Sequence, residues 1–167
     1  QSATKGNVLL RKRQYQLSDD ESWSLHVARL MIGGKIQNYR NILRRYIRDY
    51  GENENINRAV QVLEHAKREA LATQDKTTLI GYEGMASNAY FEVLPVLILN
   101  QKADFPFHGR NRRPPKDAVN AMLSFAYTLI ANDTSAALET VGLDPYVGFL
   151  HTLRPGRTSL ALDMMEE

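Results

Sequence analysis

Hydrophobic side chains recur every three or four residues along most of this chain, which is the spacing of amphipathic helices. The longest run predicts one helix from Ser18 to about residue 50. Its apolar positions are Leu25, Ala28, Ile32, Ile36, Tyr39, Leu43, Tyr46 and Tyr50. Ser18 followed by three acids reads as a capping box at the start of this helix. Gly33 and Gly34 indicate a kink within it.

The same periodicity predicts further helices downstream. They cover about residues 57 to 72, 75 to 94, 114 to 130 and 134 to 142, and a last helix begins at Ser159. Pro95 is expected to bend the end of the third helix, and Gly142 to cap the short one. The fourth helix is predicted to be deeply buried, because most of its spaced positions are apolar. These positions are Val119, Met122, Leu123, Ala126, Leu129 and Ile130.

One segment interrupts the helical pattern. Residues 100 to 115, NQKADFPFHGRNRRPP, contain three prolines, one glycine and three arginines, which predicts a long surface loop. Residues 7 to 16 are the only stretch compatible with a strand. With 167 residues and 43% hydrophobic side chains, the chain can build one compact core. We therefore predict a single all-α domain with a long amphipathic first helix.

Composition excludes several classes of chemistry. The chain has no cysteine, which rules out disulfides, thiolate zinc sites and cysteine nucleophiles and fits a reducing cytoplasm. No run of about eighteen apolar residues occurs, and the first residues lack the basic-then-apolar order of a signal peptide. These observations predict a soluble protein with no membrane partner.

The charge is unevenly distributed along the chain. The formal net charge is +2, but residues 1 to 48 hold ten Lys or Arg against three Asp or Glu. Arginine supplies fourteen of the 21 basic residues, and its planar guanidinium matches pairs of phosphate oxygens. Arg40, Arg44 and Arg48 fall on one face of the first helix. Nucleic-acid binding and an ordinary solvated surface explain this pattern equally well.

Both ends of the sequence suggest a piece of a longer protein. The chain begins at Gln1 instead of a methionine. The last predicted helix meets no glycine, asparagine or proline that would end it before Glu167. We expect further residues on both sides.

The end of the chain concentrates ionisable groups among apolar residues. Asp163, Glu166 and Glu167 stand at positions i, i+3 and i+4, so their carboxylates can share one helix face. The apolar neighbours favour burial while clustered acids repel one another, and a bound cation resolves that conflict. His151, eight residues before Ser159, can supply a nitrogen ligand. Taken alone, such a histidine is more often a hydrogen-bonded structural residue.

A further candidate ligand lies in the segment GYEGMASNAYF, residues 81 to 91. Glu83 is flanked by Gly81 and Gly84 within a helical pattern, where each glycine costs roughly 1 kcal/mol relative to alanine. The two glycines indicate either room for a ligand or a nucleic-acid strand beside Glu83, or tight packing against another helix. Their spacing does not distinguish these alternatives.

Together these residues suggest one metal site. Glu83, His151 and Glu166, with Asp163 nearby, provide several oxygens and one imidazole, a set that suits Mg²⁺ or Mn²⁺ better than zinc. No HExxH pattern supports zinc. Beside arginine-rich surfaces, such a site suggests metal-assisted cleavage or transfer of phosphodiesters.

Four separated motifs carry a family resemblance. In order they are GYEGMASNAYF, FPFHGRNRRPPKDAVNAMLSFAYTLI, GLDPYVGFLH and RPGRTSLALDMMEE. They resemble the universal CRISPR-associated spacer-acquisition integrase, the metal-dependent endonuclease of adaptation, and ARLMIGGKIQNYRNILRR resembles the long first helix of its catalytic domain. The RPG and LALDMMEE segments are most similar to the version found with type I-C systems.

The resemblance implies a domain organisation. Family members have a small amino-terminal β domain followed by a larger helical catalytic domain. Residues 1 to 17 would be the linker from a β domain that is absent here. Residues 18 to 167 would be the helical nuclease and integrase domain, truncated at its carboxyl end.

The resemblance also implies a ligand set for Mg²⁺ or Mn²⁺. The glutamate of the EG motif, the histidine of the FLH motif and an acid of the final helix map to Glu83, His151 and Glu166. Asp163 maps to the other acid of that helix and is a further catalytic candidate. Many relatives carry aspartate where this chain has Glu166. The resemblance therefore leaves open whether Glu166 or Asp163 makes the closer metal contact.

The implied reaction is DNA integration. The 3′-hydroxyl of a captured foreign fragment attacks a phosphodiester at the edge of a CRISPR repeat. The implied phosphate contacts are Arg110, Arg112, Arg113, Lys116, Arg154 and Arg157. Alternatively, Arg110 only braces its loop, and Arg154 and Arg157 only pack against the acids.

The implied partners are the foreign DNA fragment, the CRISPR repeat, a second copy of the full-length protein and a small second CRISPR adaptation protein. The implied location is the prokaryotic cytoplasm. A hypothesis of another class is a non-catalytic helical module that binds nucleic acid or another partner and holds no metal.

Overall fold

The computed structural model describes residues 7 to 166, and these residues form six helices. Their bounds are α1 Val8–Asp19, α2 Glu21–Tyr50, α3 Glu54–Ala72, α4 Lys76–Leu97, α5 Ala118–Val141 and α6 Ser159–Met164. The described residues contain no strand, which confirms the all-α prediction. None of the helices in this range combines the length and the apolar composition that a membrane span requires.

Three long helices build the main core. α2, α3 and α4 pack against one another, as their amphipathic patterns predict. The largest fully buried apolar side chains at their contacts are Ile32, Ile36, Leu43, Ile56, Leu63 and Leu79. α2 continues through Gly33, where an added Cβ would lie 2.9 Å from Cδ2 of Leu71. This glycine therefore lets α3 approach α2 closely.

Residues 7 to 16, the only stretch compatible with a strand, instead form the cap and the first part of a helix. Asn7 caps α1, and its side chain accepts hydrogen bonds from the backbone N–H groups of Leu9 and Leu10. The long helix begins later than predicted, because Asp20 caps α2 while Ser18 lies inside α1.

α1 is fastened to the body of the protein through Gln14. Its amide donates to the carbonyl oxygens of Asp144 and Val147 at 2.8 and 2.7 Å, and its oxygen accepts from Asp144 N at 2.9 Å. Tyr15 also donates to the Asp144 carboxylate at 2.6 Å. Most of the proposed linker, from residue 8 onward, is thus an anchored helix. Residues 1 to 6 and Glu167 lie outside the described residues.

α5 is one continuous helix, not two. It begins after Asp117, whose side chain accepts from Asn120 N at 2.7 Å, so Pro114 and Pro115 belong to the preceding loop. No break occurs at Thr134. Gly142 ends the helix in the left-handed conformation with φ 89°, as predicted.

Deep burial of α5 was a wrong prediction. Among the described helices α5 contacts α6, and much of its apolar surface faces outward. The exposed fractions are 52% for Met122, 67% for Phe125, 48% for Leu129 and 52% for Ile130. Apolar content alone predicts a preference for burial, but burial also requires a neighbouring surface.

A second, smaller core places the end of the chain. Met31 of α2, Leu138 of α5 and Leu160 and Ala161 of α6 form one buried cluster. The N–H of Leu160 also donates to the carbonyl of Pro145 at 2.9 Å. These contacts hold α6 against α2, so that the residues after α6 lie beside the middle of α2 and α4.

Candidate functional site

Three of the predicted ligands line one cavity. Glu83 of α4, His151 of the loop before α6, and Glu166 just after α6 meet around a space of about 240 Å³. Arg157 also lines this space, together with the apolar side chains of Ile32, Ile80 and Leu150 and with Thr152. The packing of α6 against α2 thus brings residues far apart in sequence to a common surface.

A lysine that sequence reasoning missed joins the two glutamates. The ammonium of Lys35 contacts Oε1 of Glu83 and Oε2 of Glu166, and the Lys35 side chain is only 10% exposed. Lys35 lies three residues after Ile32 and four before Tyr39, within the apolar face of α2. A lysine among core positions was the available signal for a buried acidic partner.

Electrostatics of this cluster favour the ionised pairs. Burial lowers the pKa of Lys35, but the nearby carboxylates of Glu166 and Glu83 outweigh it and raise the pKa above its ordinary value. Burial has the opposite effect on Glu83 and raises its pKa. The Lys35 ammonium and a hydrogen bond from Ser87 outweigh burial, so the pKa of Glu83 lies below its ordinary value. Both groups therefore remain charged at neutral pH.

Asp163 has a different environment from Glu166. It is completely buried, and its carboxylate accepts hydrogen bonds from backbone N–H groups at 2.5 Å from Phe149, 2.9 Å from Leu150 and 2.9 Å from His151. Oδ1 also lies 2.7 Å from Nδ1 of His151. Both oxygens are thus used in shaping the 149 to 151 loop, and Asp163 is not among the residues that line the cavity.

The contact with Asp163 orients the His151 ring. Nδ1 lies against the carboxylate, which leaves Nε2 as the ring nitrogen without this contact. Gly148 makes this arrangement possible, because an added Cβ would overlap Oδ2 of Asp163 and lie 2.8 Å from the carbonyl carbon of Ser159. The chain therefore holds the His151 ring in a fixed orientation.

The cavity has the donor atoms of a divalent-cation site, but these atoms are not arranged as a complete set of ligands. Within residues 7 to 166, no three His, Asp or Glu side chains are arranged to hold a metal ion directly. The physical reason is that Lys35 stands between Glu83 and Glu166. The two carboxylates already converge on one positive charge, and His151 adds a nitrogen, so the residues fit Mg²⁺ or Mn²⁺.

Arg110 is mainly a structural residue of the 98 to 117 loop. Its guanidinium donates to the carbonyl of Asn111 at 2.8 Å and to Oδ1 of Asn120 at 2.9 Å. It also lies 5.6 Å from the centre of the Tyr127 ring. These contacts favour the bracing alternative for Arg110.

The other predicted phosphate contacts are more accessible. Arg112, Arg113, Lys116 and Arg154 are exposed, and Arg157 is half-buried in the site cavity. Arg112 is close enough to Glu83 for its charge to lower the pKa of that carboxyl. Arg112 and Arg157 thus place positive charge beside the glutamates, where it is available to a polyanion.

Two of the three arginines on one face of α2 pair with acids. Arg40 pairs with Glu64 at 2.9 Å, and Arg48 pairs with Asp49 at 2.8 Å. These pairs favour the solvated-surface reading for Arg40 and Arg48. The basic surface beside the cavity comes instead from the loops before α5 and α6.

Packing does not explain the two glycines around Glu83. An added Cβ at Gly81 or Gly84 would meet no atom within 4 Å. Among the described residues, tight helix packing therefore does not explain why glycine occupies these two positions. The surface of α4 beside Glu83 is open, as expected if another molecule lies there.

Comparisons with known proteins identify the family. The profile of CRISPR associated protein Cas1 matches residues 1–167. The chain is 46% identical over 170 residues to "CRISPR-associated endonuclease Cas1 1" of Chlorobaculum tepidum, covering 100% of this chain and 50% of that protein. It thus spans about half the length of this curated relative.

Solved structures show the same fold. The chain is similar to a chain of the "Partial Cas6-RT-Cas1–Cas2 complex", with a TM-score of 0.85 and 26% identity, covering 98% of this chain and 47% of the other. It is also similar to "Casposase bound to integration product", with a TM-score of 0.75 and 25% identity, covering 95% and 46%. The sequence match over the full chain and these shared folds agree, and the chain belongs to the CRISPR associated protein Cas1 family.

Proposed function

We propose that this chain is the helical catalytic part of a metal-dependent DNA endonuclease and integrase that inserts foreign DNA fragments as spacers into a CRISPR array. The observation that carries the proposal is the meeting of Glu83, His151 and Glu166 in one cavity beside exposed arginines. A relative named as an endonuclease and a structural neighbour titled as bound to an integration product support it.

In this proposal Glu83, Glu166 and Nε2 of His151 hold Mg²⁺ or Mn²⁺. When bound, the ion neutralises the non-bridging phosphate oxygens and eases departure of the leaving oxygen. Asp163 is a positioning residue in this scheme, because it orients His151 and reaches the reaction only through that ring.

The DNA strands are held by cationic side chains around the cavity. Arg112, Arg113, Lys116, Arg154 and Arg157 bind phosphates, while Arg110 keeps the shape of the loop. The 3′-hydroxyl of the foreign fragment forms a new P–O bond, and the repeat strand leaves as a 3′-hydroxyl when its own P–O bond breaks. No covalent enzyme intermediate is required.

The proposal includes the partners and the setting that the family suggests. The full-length protein would act as a homodimer with a small second adaptation protein, and a neighbour whose title includes Cas2 supports the latter. It would act in the prokaryotic cytoplasm, in a type I-C system as the RPG and LALDMMEE segments suggest.

One observation favours the alternative of a non-catalytic binding module. Lys35 already gives Glu83 and Glu166 a shared positive partner, so the described residues hold the two carboxylates together without any metal. The two hypotheses differ in whether the cavity accepts a divalent ion.

Crystals soaked in Mn²⁺ are expected to show an anomalous peak in the cavity. The ion should lie among Glu83, Glu166 and His151, since these donors line one space. Crystals of Glu83→Gln provide the control and should lack the peak. A parent crystal with no peak in this cavity would favour the binding module.

Arg110→Ala and Arg112→Ala are expected to change different properties, stability in the first and DNA binding in the second. Arg112→Ala should weaken DNA binding severalfold and reduce the slope of log K against log salt by about 1, because one phosphate contact is lost. Arg110→Ala should instead lower the melting temperature, because it removes hydrogen bonds within the loop. Fluorescence anisotropy at several salt concentrations and thermal melts measure both effects. If the salt slope of Arg112→Ala equals that of the parent, Arg112 does not contact a DNA phosphate.

A further inference from the structure

We propose that Lys35 is an internal cation that holds the metal position between Glu83 and Glu166 and is displaced when a divalent ion binds. The inference rests on the proposed metal-dependent function. It adds a residue that competes with the ion, so metal binding becomes an exchange of one cation for another and not the filling of a vacant site.

The geometry supports an exchange because both carboxylates converge on one point. Lys35 donates to one oxygen of each glutamate. Ser87 donates to the same Oε1 of Glu83 at 2.8 Å, which holds this carboxylate in place from its own helix. A small cation that bridges these same two oxygens would therefore take the position of the ammonium.

Charge makes simultaneous occupancy unfavourable. An ammonium and a divalent ion that share the same carboxylate oxygens would lie a few ångströms apart in a partly buried site, where their repulsion is strong. Two carboxylates balance one divalent ion completely, which leaves the ammonium without a countercharge. Lys35 must then move, and a DNA phosphate in the cavity would offer it a new partner.

The lysine side chain has both the freedom and a nearby surface for such a movement. Its backbone lies in the uninterrupted helix α2, but its four-carbon stem can change rotamer. Its ammonium already lies 5.8 Å from the centre of the Tyr39 ring, within the range of a cation–π contact. Tyr39 is itself fixed by stacking on Tyr90, with ring centres 4.1 Å apart.

Calorimetric titration with Mn²⁺ alone tests the exchange. Lys35→Met should bind Mn²⁺ at least tenfold more tightly than the parent, because the internal competitor is gone. Lys35→Arg, which keeps a cation, should stay near the parent value. Lys67→Met is the matched control, since Lys67 donates to Gln37 at 2.7 Å on another surface. Equal or weaker binding by Lys35→Met overturns the inference, whereas absence of binding by every variant overturns the metal function as well.

A measurement on the unaltered chain covers the case in which Lys35→Met does not fold. Lysine acetylation followed by mass spectrometry reports how accessible each amine is. Adding Mg²⁺ should raise the acetylation rate of Lys35 severalfold and leave that of Lys67 unchanged. Bound Mn²⁺ or Mg²⁺ with Lys35 still protected would show that the ammonium remains in place and would overturn the exchange.

Discussion

Glu83→Gln is expected to reduce Mn²⁺-dependent cleavage and strand transfer on branched DNA by about 10³-fold or more. The glutamine keeps the size of the side chain but removes one of the two carboxylates that face the cavity. His151→Ala should cause a loss of similar size, because it removes the nitrogen donor. Gel assays of labelled branched DNA measure both products, and Mn²⁺ titration of the same samples shows whether the metal was lost.

Glu92→Gln provides the matched control for Glu83→Gln. Glu92 is an exposed glutamate of the same helix and does not line the cavity. Its activity should equal that of the parent. If Glu83→Gln and Glu92→Gln retain the same activity, catalysis does not pass through this cavity and the proposed mechanism is wrong.

Asp163→Ala is expected to lower the free energy of unfolding by about 3 to 5 kcal/mol. The substitution leaves three backbone N–H groups of residues 149 to 151 without their acceptor in a fully buried position. Asp163→Asn should be only slightly better, because an amide cannot accept at both ends. Urea unfolding followed by circular dichroism measures the change.

Asp133→Ala is the control for stability, since Asp133 is an exposed aspartate on α5. Its effect should stay within about 0.5 kcal/mol. A loss for Asp163→Ala as small as that for Asp133→Ala would contradict the role of Asp163 in holding the loop. In the variants that fold, His151 should also lose its orientation, so Mn²⁺ binding should weaken together with stability.

Helical periodicity was a reliable guide where both faces of a helix had clear roles. α3 and α4 begin within a few residues of the predicted positions, and the predicted core residues Ile32, Ile36 and Leu43 are fully buried. The helix α1 was not predicted, because its capping asparagine and the distant partner of Gln14 leave no mark on the apolar spacing. The predicted deep burial of α5 was wrong, because apolar content does not reveal which neighbour is present.

The candidate site was predicted in its chemistry but not in its internal contacts. The motifs selected Glu83, His151 and Glu166, and all three line the cavity. The motifs left open whether Asp163 or Glu166 faces a metal. Only the fold shows that Asp163 is used by backbone N–H groups while Glu166 faces Lys35.

By itself the sequence determined the helical fold class, the residue types at the site and the family to which the chain belongs. These features follow from local periodicity and from short motifs, which depend on neighbouring residues. The tertiary structure alone decided that Lys35 stands between Glu83 and Glu166, and that Asp163 orients His151. The reason is physical, since hydrogen bonds and ion pairs act over about 3 Å in space and join positions far apart along the chain.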